Sequence, residues 1–186
     1  MKKKEIRCRI CTRLFKVPEN SDCDVCSDER FTDRSFIERI RATLESIDLD
    51  VMSCRAAQKT IRATDWFGPD HPDVSNQNAF DWTWGNGRTR IYLNPAGTWR
   101  LAAFRRLRSE YARKHFESAA ICLYDWDHST AWWDALAETA PVWTLLTRKR
   151  YQFSDVDVDR SQAFAFLGVP RARVADQWSD IARIFS

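Results

Sequence analysis

Residues 90–124, RIYLNPAGTWRLAAFRRLRSEYARKHFESAAICLY, decide the reading of the chain. Ile91, Tyr92 and Leu93 run straight into Asn94-Pro95. A proline cannot donate to a sheet ladder and confines the residue before it to extended geometry, so this pair ends a strand spanning about 90–94. Leu101, Phe104, Leu107 and Tyr111 then recur at helical spacing over about 99–115, and AAICLY is a second apolar strand. Apolar strands alternating with helices indicate an α/β protein with a mainly parallel sheet covered on both faces. Such sheets bind ligands at the carboxyl ends of their strands, where the Asn94 amide and the Pro95 carbonyl would stand.

The same alternation continues on both sides. Upstream, Ser35-x-x-Glu38 has the form of a capping box, and Phe36, Ile37, Ile40 and Leu44 mark a helix over 34–46. IDLDV, 47–51, reads as a short strand carrying Asp48 and Asp50, and 62–89, with FGPDHPD and WGNGR, as a long irregular segment. Downstream come a helix over 130–139, the strands VWTLL and QAFAFLGV, and a terminal helix marked by Val174, Trp178, Ile181 and Phe185. The α/β domain therefore spans 31–186, with 1–30 set apart.

Those first thirty residues hold the strongest local motif. Cys8-x2-Cys11 and Cys23-x2-Cys26 offer four soft ligands in two knuckles, the spacing of a structural zinc site. The few apolar residues around them make no core, so the metal would supply the folding free energy. A redox dithiol is the competing reading of each pair. Cys54 and Cys122 have no partner in sequence and read as small buried hydrophobes.

A net charge of +3 in 186 residues gives no strong global field, so attraction to nucleic acid must come from local patches. Two are present. Lys2, Lys3, Lys4, Arg7, Arg9 and Arg13 surround the first knuckle, though Asp22, Asp24, Asp28 and Glu29 dilute them. Arg100, Arg105, Arg106, Arg108, Arg113 and Lys114 make the helix after Asn94-Pro95 basic, with Glu110 alone in opposition. No apolar run reaches the length of a membrane span and no signal peptide follows MKKK, so a cytoplasmic protein of a bacterial or phage-infected cell is expected, without a membrane partner. Of the nine tryptophans, Trp132, Trp133, Trp143 and Trp178 fall at core-like positions, while Trp66, Trp84, Trp99 and Trp126 are candidates for a base or adenosyl pocket. Asp125, Asp127 and His128 follow AICLY at a strand end.

An exocyclic amine delocalises its lone pair into the base, so alkylating it requires acceptors that fix its hydrogens. An asparagine oxygen and a proline carbonyl supply two. With this segment, the order and spacing of several pieces resemble the phage-type DNA N-6-adenine methyltransferase family over roughly residues 30–169. RIYLNPAG is similar to the family's Val-Trp-x-Asn-Pro-Pro-Tyr-Gly, and IDLDVMS to its Phe-Asp-Leu-Asp-Val-Ala-Ala strand. Phe31-Thr32-Asp33 stands at its Trp-x-Thr-Pro position, AAICLYDWDHSTAWWDAL at an apolar strand followed by Thr-Asp-Thr-x-Trp-Phe, and TRKRYQF at Gly-Arg-Leu-x-Phe. The resemblance implies a Rossmann-like methyltransferase sheet, S-adenosylmethionine as donor and DNA as partner. It makes Asn94 and Pro95 the amine-orienting pair, Asp48 and Asp50 the cofactor contacts and Arg150 a contact to the base or phosphate; Trp99, two residues past Gly97, and Arg105 on the basic helix are further candidate substrate contacts.

The chain departs from the family where Ala96 replaces the second proline, Gly97 the stacking aromatic and Ser129 an aspartate. Losing the platform removes about 1–3 kcal/mol of base stacking, which gives physical footing to the alternative of a catalytically inactive DNA- or protein-binding module on the same sheet, of phage or mobile-element origin. A zinc-dependent redox sensor is a third reading, resting on the four thiols alone. Protein purified under reducing conditions is expected to carry a single zinc ion by atomic emission, and Cys11→Ser or Cys26→Ser to abolish it; metal-free protein with the same thermal transition would refute the knuckle.

Overall fold

A computed structural model describes residues 4–7, 14–17, 32–124, 130–139, 141–153 and 156–185; at 4–7, 14–17, 124, 147–153 and 156–161 only the backbone is described. The strands β1 (Lys4–Arg7) and β2 (Leu14–Val17) pair antiparallel as a sheet of their own, with Ile6 opposite Phe15. Cys8, Cys11, Cys23 and Cys26 lie outside the described residues, as do Asp125, Trp126, Asp127, His128 and Ser129.

The rest of the chain is a mixed α/β structure, compatible with a Rossmann-like fold. In order it comprises α1 (Arg34–Leu44), β3 (Leu49–Asp50), α2 (Arg55–Ile61), β4 (Asp65–Trp66), β5 (Arg90–Leu93) and α3 (Arg100–Ala112). There follow β6 (Ser118–Tyr124), α4 (Ala131–Ala137), β7 (Val142–Phe153), β8 (Val156–Leu167), α5 (Arg171–Trp178) and β9 (Ala182–Phe185). Seven strands form one sheet in the order β4-β3-β5-β6-β8-β7-β9.

Only half of that sheet is parallel. β4, β3, β5 and β6 run together, whereas β8 is antiparallel to both β6 and β7, and β9 is antiparallel to β7. The expectation of a mainly parallel sheet fails for a local reason: two residues separate β7 from β8, and a parallel neighbour needs a crossover of a dozen or more. The expected terminal helix also stops early. α5 ends at Trp178, and residues 182–185 alternate between half-buried and exposed as an edge strand on β7.

Alternation along the strands builds two cores. Tyr92, Ala120, Cys122, Phe164 and Phe166 face α1, α2 and α5, while Ile91, Leu93, Ile121, Ala165 and Leu167 face α3 and α4. Trp178 is the centre of the first core: its ring lies 4.8 Å from Phe164 and 5.6 Å from Phe166, and its indole N–H donates to Thr43 Oγ1 at 2.9 Å. The N-terminus of α1 is capped by Asp33, which accepts from the Ser35 N–H at 2.7 Å, so the expected capping box does not form. Glu38 pairs instead with Arg62 at 2.6 Å.

The second core pins the irregular segment before β5. Glu110 on α3 is fully buried, accepting from the Trp84 backbone N–H at 3.0 Å while paired with His115 at 2.8 Å and Arg106 at 2.7 Å. Burial alone would raise its pKa, but the Trp84 N–H, His115 and Arg106 outweigh burial and hold the carboxyl below its ordinary range. A carboxyl depressed in the folded state stabilises above its unfolded pKa of about 4.3, and that contribution is lost as pH falls through the folded value. Glu110→Ala is therefore expected to cost about 2–3 kcal/mol in urea unfolding at pH 7. The gap from wild type should narrow as pH falls below about 4.

Candidate functional site at the carboxyl ends of β3 and β5

β3 is two residues long yet governs the topology. From it the chain passes to β4 on one side and then returns to β5 on the other, pairing Leu49 with Ile91 and Asp50 with Tyr92. The strand order thus reverses between β3 and β5, and crevices at such a switch point are where open α/β sheets take ligands.

Three segments leave the sheet at that rim. After β3, the Val51 N–H donates to the Tyr92 carbonyl at 3.0 Å and the Ser53 N–H to the Phe67 carbonyl at 2.8 Å, carrying the chain to α2. After β4 comes Gly68, where an added Cβ would stand 1.9 Å from the Ser53 carbonyl oxygen; only glycine permits that contact. After β5 come half-buried Asn94, buried Pro95 and then Gly97–Trp99, a 3-10 turn leading into α3. The strand ends at Leu93, directly before the Asn-Pro pair.

Asp50 and Asn94 consequently sit at the tips of neighbouring parallel strands. Asp50 is fully buried, and the Gln58 side-chain amide donates at 2.8 Å both to its Oδ2 and to Ser53 Oγ. The other carbonyl end of Gln58 accepts from the Ala63 N–H at 3.0 Å, so α2 holds this carboxylate from below. Asp48 is not brought to the rim. It lies at the opposite end of β3, where its carboxylate accepts from Ser46 Oγ at 2.6 Å and from the Arg90 N–H at 2.9 Å, fastening the start of β5.

Sequence reasoning passed over a buried polar group on the first face. Thr32 Oγ1 lies 2.5 Å from the Tyr92 hydroxyl and 3.5 Å from Cys122 Sγ, which also receives the Gln162 amide at 3.3 Å. Burial pushes the Cys122 thiol up, only partly offset by the Thr32, Gln162 and Tyr92 hydrogen bonds and by the Arg100 charge. Thr32 thereby ties the segment before α1 to the strand that carries Asn94. The visible signal was a tyrosine inside an otherwise aliphatic strand, whose hydroxyl needs a partner when buried.

The remaining candidates divide. Trp99 is 54% exposed, its ring 5.8 Å from Phe80. Arg105 is exposed on α3. Arg100, the first residue of α3, places its guanidinium 5.5 Å from the ring centre of Trp132 in the first turn of α4. Trp132, expected to be packing, does pack on the second core, its ring 5.6 Å from Phe104, while staying half-buried at the start of the helix that follows β6. Trp84, expected near a ligand, is fully buried with its indole N–H on the Ala79 carbonyl, and so belongs to the core. Trp66 is half-buried, with His71 4.5 Å away edge-on. Arg150 stands on β7 opposite Asp159, beyond the level at which Tyr124 ends β6.

No protein-family model matches the chain, and no curated protein matches it. Tyr92→Phe and Thr32→Val, alone and combined, are expected to show a coupling of about 1 kcal/mol in a double-mutant cycle of unfolding free energies. Additive effects would show that the pair does not bridge the two segments.

Proposed function

We propose that the rim between β3 and β5 binds S-adenosylmethionine and an extrahelical adenine, and that the protein is a DNA adenine-N6 methyltransferase. The observation that carries this is the meeting of Asp50 and Asn94-Pro95 at one topological switch point. The residues suit the donor. A buried carboxylate at the tip of β3 complements a molecule that carries both a sulfonium and an ammonium charge. When bound, the donor supplies an electrophilic methyl group. Asn94 Oδ1 and the Pro95 carbonyl would accept the two hydrogens of the target amine and orient its lone pair. Pro95 contributes rigidity, because its ring fixes the backbone that aims its own carbonyl.

The sheet order supports the same reading. β4, β3, β5 and β6 run parallel, which leaves the switch point between β3 and β5 with Asp50 and Asn94-Pro95 at neighbouring tips. DNA as partner is supported by exposed cations on and just after α3: Arg105, Arg113 and Lys114 face solvent, Arg108 is exposed but paired with Glu138, and Glu110, the helix's own acid, is consumed inside the core. The β1–β2 pairing supports a zinc knuckle, since it makes 8–13, with Cys8 and Cys11, the link between two antiparallel strands.

A second reading, an inactive module that keeps the fold and the binding surface, is favoured by one contact. The Arg55 N–H at the start of α2 donates to both carboxylate oxygens of Asp70 at 3.1 Å, so a protein carboxylate occupies the helix end nearest the rim. Transfer of tritiated methyl from S-adenosylmethionine to unmethylated DNA separates the two. The active reading predicts incorporation into N6-methyladenine, reduced by at least about 100-fold in Asn94→Ala. Cofactor binding without incorporation would establish the module, and incorporation unchanged in Asn94→Ala would remove the amine-orienting role.

A further inference from the structure

Among the described residues three aromatic side chains are exposed: Phe185 stands alone on the edge strand β9, whereas Trp82 and Trp99 lie together. Trp82 and Trp99, about half exposed, flank Phe80, which packs on Trp99 at 5.8 Å. Trp82 is held on both sides: its indole N–H donates to the Ser75 carbonyl at 2.6 Å, and its own carbonyl accepts from Arg106 at 2.9 Å. Arg106 is in turn fixed by buried Glu110. Trp99 closes the 3-10 turn that leads into α3, and Arg106 lies within α3, so one helix and the turn before it carry both Trp99 and the residue that holds the Trp82 backbone.

We infer that Trp99, Phe80 and Trp82 form a stacking strip for a single DNA strand, taking the unstacked bases next to the target nucleotide. The inference rests on the reading of the Asn94-Pro95 rim as a DNA-modifying site. The strip begins at Trp99, five residues after Asn94 and two after Gly97, which stands in place of the family motif's aromatic. Stacking on an exposed ring is available to any base with its face free, which a paired duplex does not offer, so the strip selects single-stranded or locally opened DNA. Charge favours a polyanion over a protein segment. Arg105 is exposed on the neighbouring face of α3, and Arg113 and Lys114 continue the basic surface at its far end. Asp81, exposed between Phe80 and Trp82, is the one opposing charge within the strip itself.

That acid provides a test that misfolding cannot imitate. Binding of a fluorescein-labelled 15-nucleotide single strand and of its duplex is measured by anisotropy without cofactor, together with quenching of tryptophan fluorescence. The single strand is expected to bind more tightly and to quench. Trp82→Ala and Trp99→Ala should each weaken it by roughly 5- to 100-fold, the range of one lost stacking contact. Asp81→Asn should tighten it by about two- to fivefold, an effect that shrinks as salt rises. Duplex bound as tightly as single strand, tryptophan variants with unchanged affinity, or a Trp82- and Trp99-dependent dimer in sedimentation would overturn the strip. Because no cofactor is present in the binding measurement, absence of methyl transfer would count against the enzyme reading and leave the strip standing.

Discussion

The parallel pairing of β3 with β5 is the constraint on which the rest of the molecule depends. Two residue pairs carry it, Leu49 with Ile91 and Asp50 with Tyr92, so its register rests on reinforcement at both ends. At one end Asp48 exchanges a backbone hydrogen bond with the Arg90 carbonyl and adds a carboxylate bond to the Arg90 N–H; at the other the Val51 N–H reaches the Tyr92 carbonyl. A slip by one residue would turn every side chain of β5 to the opposite face, exchanging Tyr92 for Ile91 and Leu93 in the two cores. With the register held, Asp50 and Asn94 are fixed at adjacent strand tips, and the chemistry available at the rim follows from that placement.

The rim is supported from layers that do not themselves meet a ligand. Gln58 braces Asp50 from α2, and Thr32 braces Tyr92 from the segment before α1. Glu110 gathers Trp84, Arg106 and His115, and through Arg106 it steadies the loop that displays Trp82. These contacts are buried or half-buried hydrogen bonds to charged or hydroxyl groups, the kind whose loss is felt because the surviving partner is left without water. A site on loops is made definite in this way by the helices beneath it.

How much of this was legible in the sequence depends on the length and regularity of each element. β5, α3, β6 and α4 were readable because apolar periodicity was long and Asn-Pro marked a sharp end. β4 and α2 were not: two residues of strand and seven of helix carry too little pattern, and both are held by tertiary contacts such as Asp70 on the Arg55 N–H. The distal halves of β7 and β8 were missed because the strands were read only from their apolar runs, VWTLL and QAFAFLGV, although Tyr151 and Phe153, opposite Val158 and Val156, alternate there with polar residues. At the rim, Asn94 and Pro95 were nameable from the strand-end pattern, whereas Asp48 and Asp50 came together from the family resemblance, and only the register of β3 on β5 separates them. Trp132 packs on Phe104 as its periodic position indicated, whereas Trp84 was misplaced because tryptophan suits both a core and a binding face and only its burial against Ala79 and Glu110 distinguishes them.

The central claim is that a donor binds where β3 and β5 end. Amide hydrogen exchange with and without S-adenosylmethionine tests it without requiring turnover. The account predicts slowed exchange in two stretches, 51–54 after β3 and 94–99 after β5, with the far ends of the same strands unchanged. Protection absent from both stretches at saturating ligand, or confined to other parts of the chain, would contradict it.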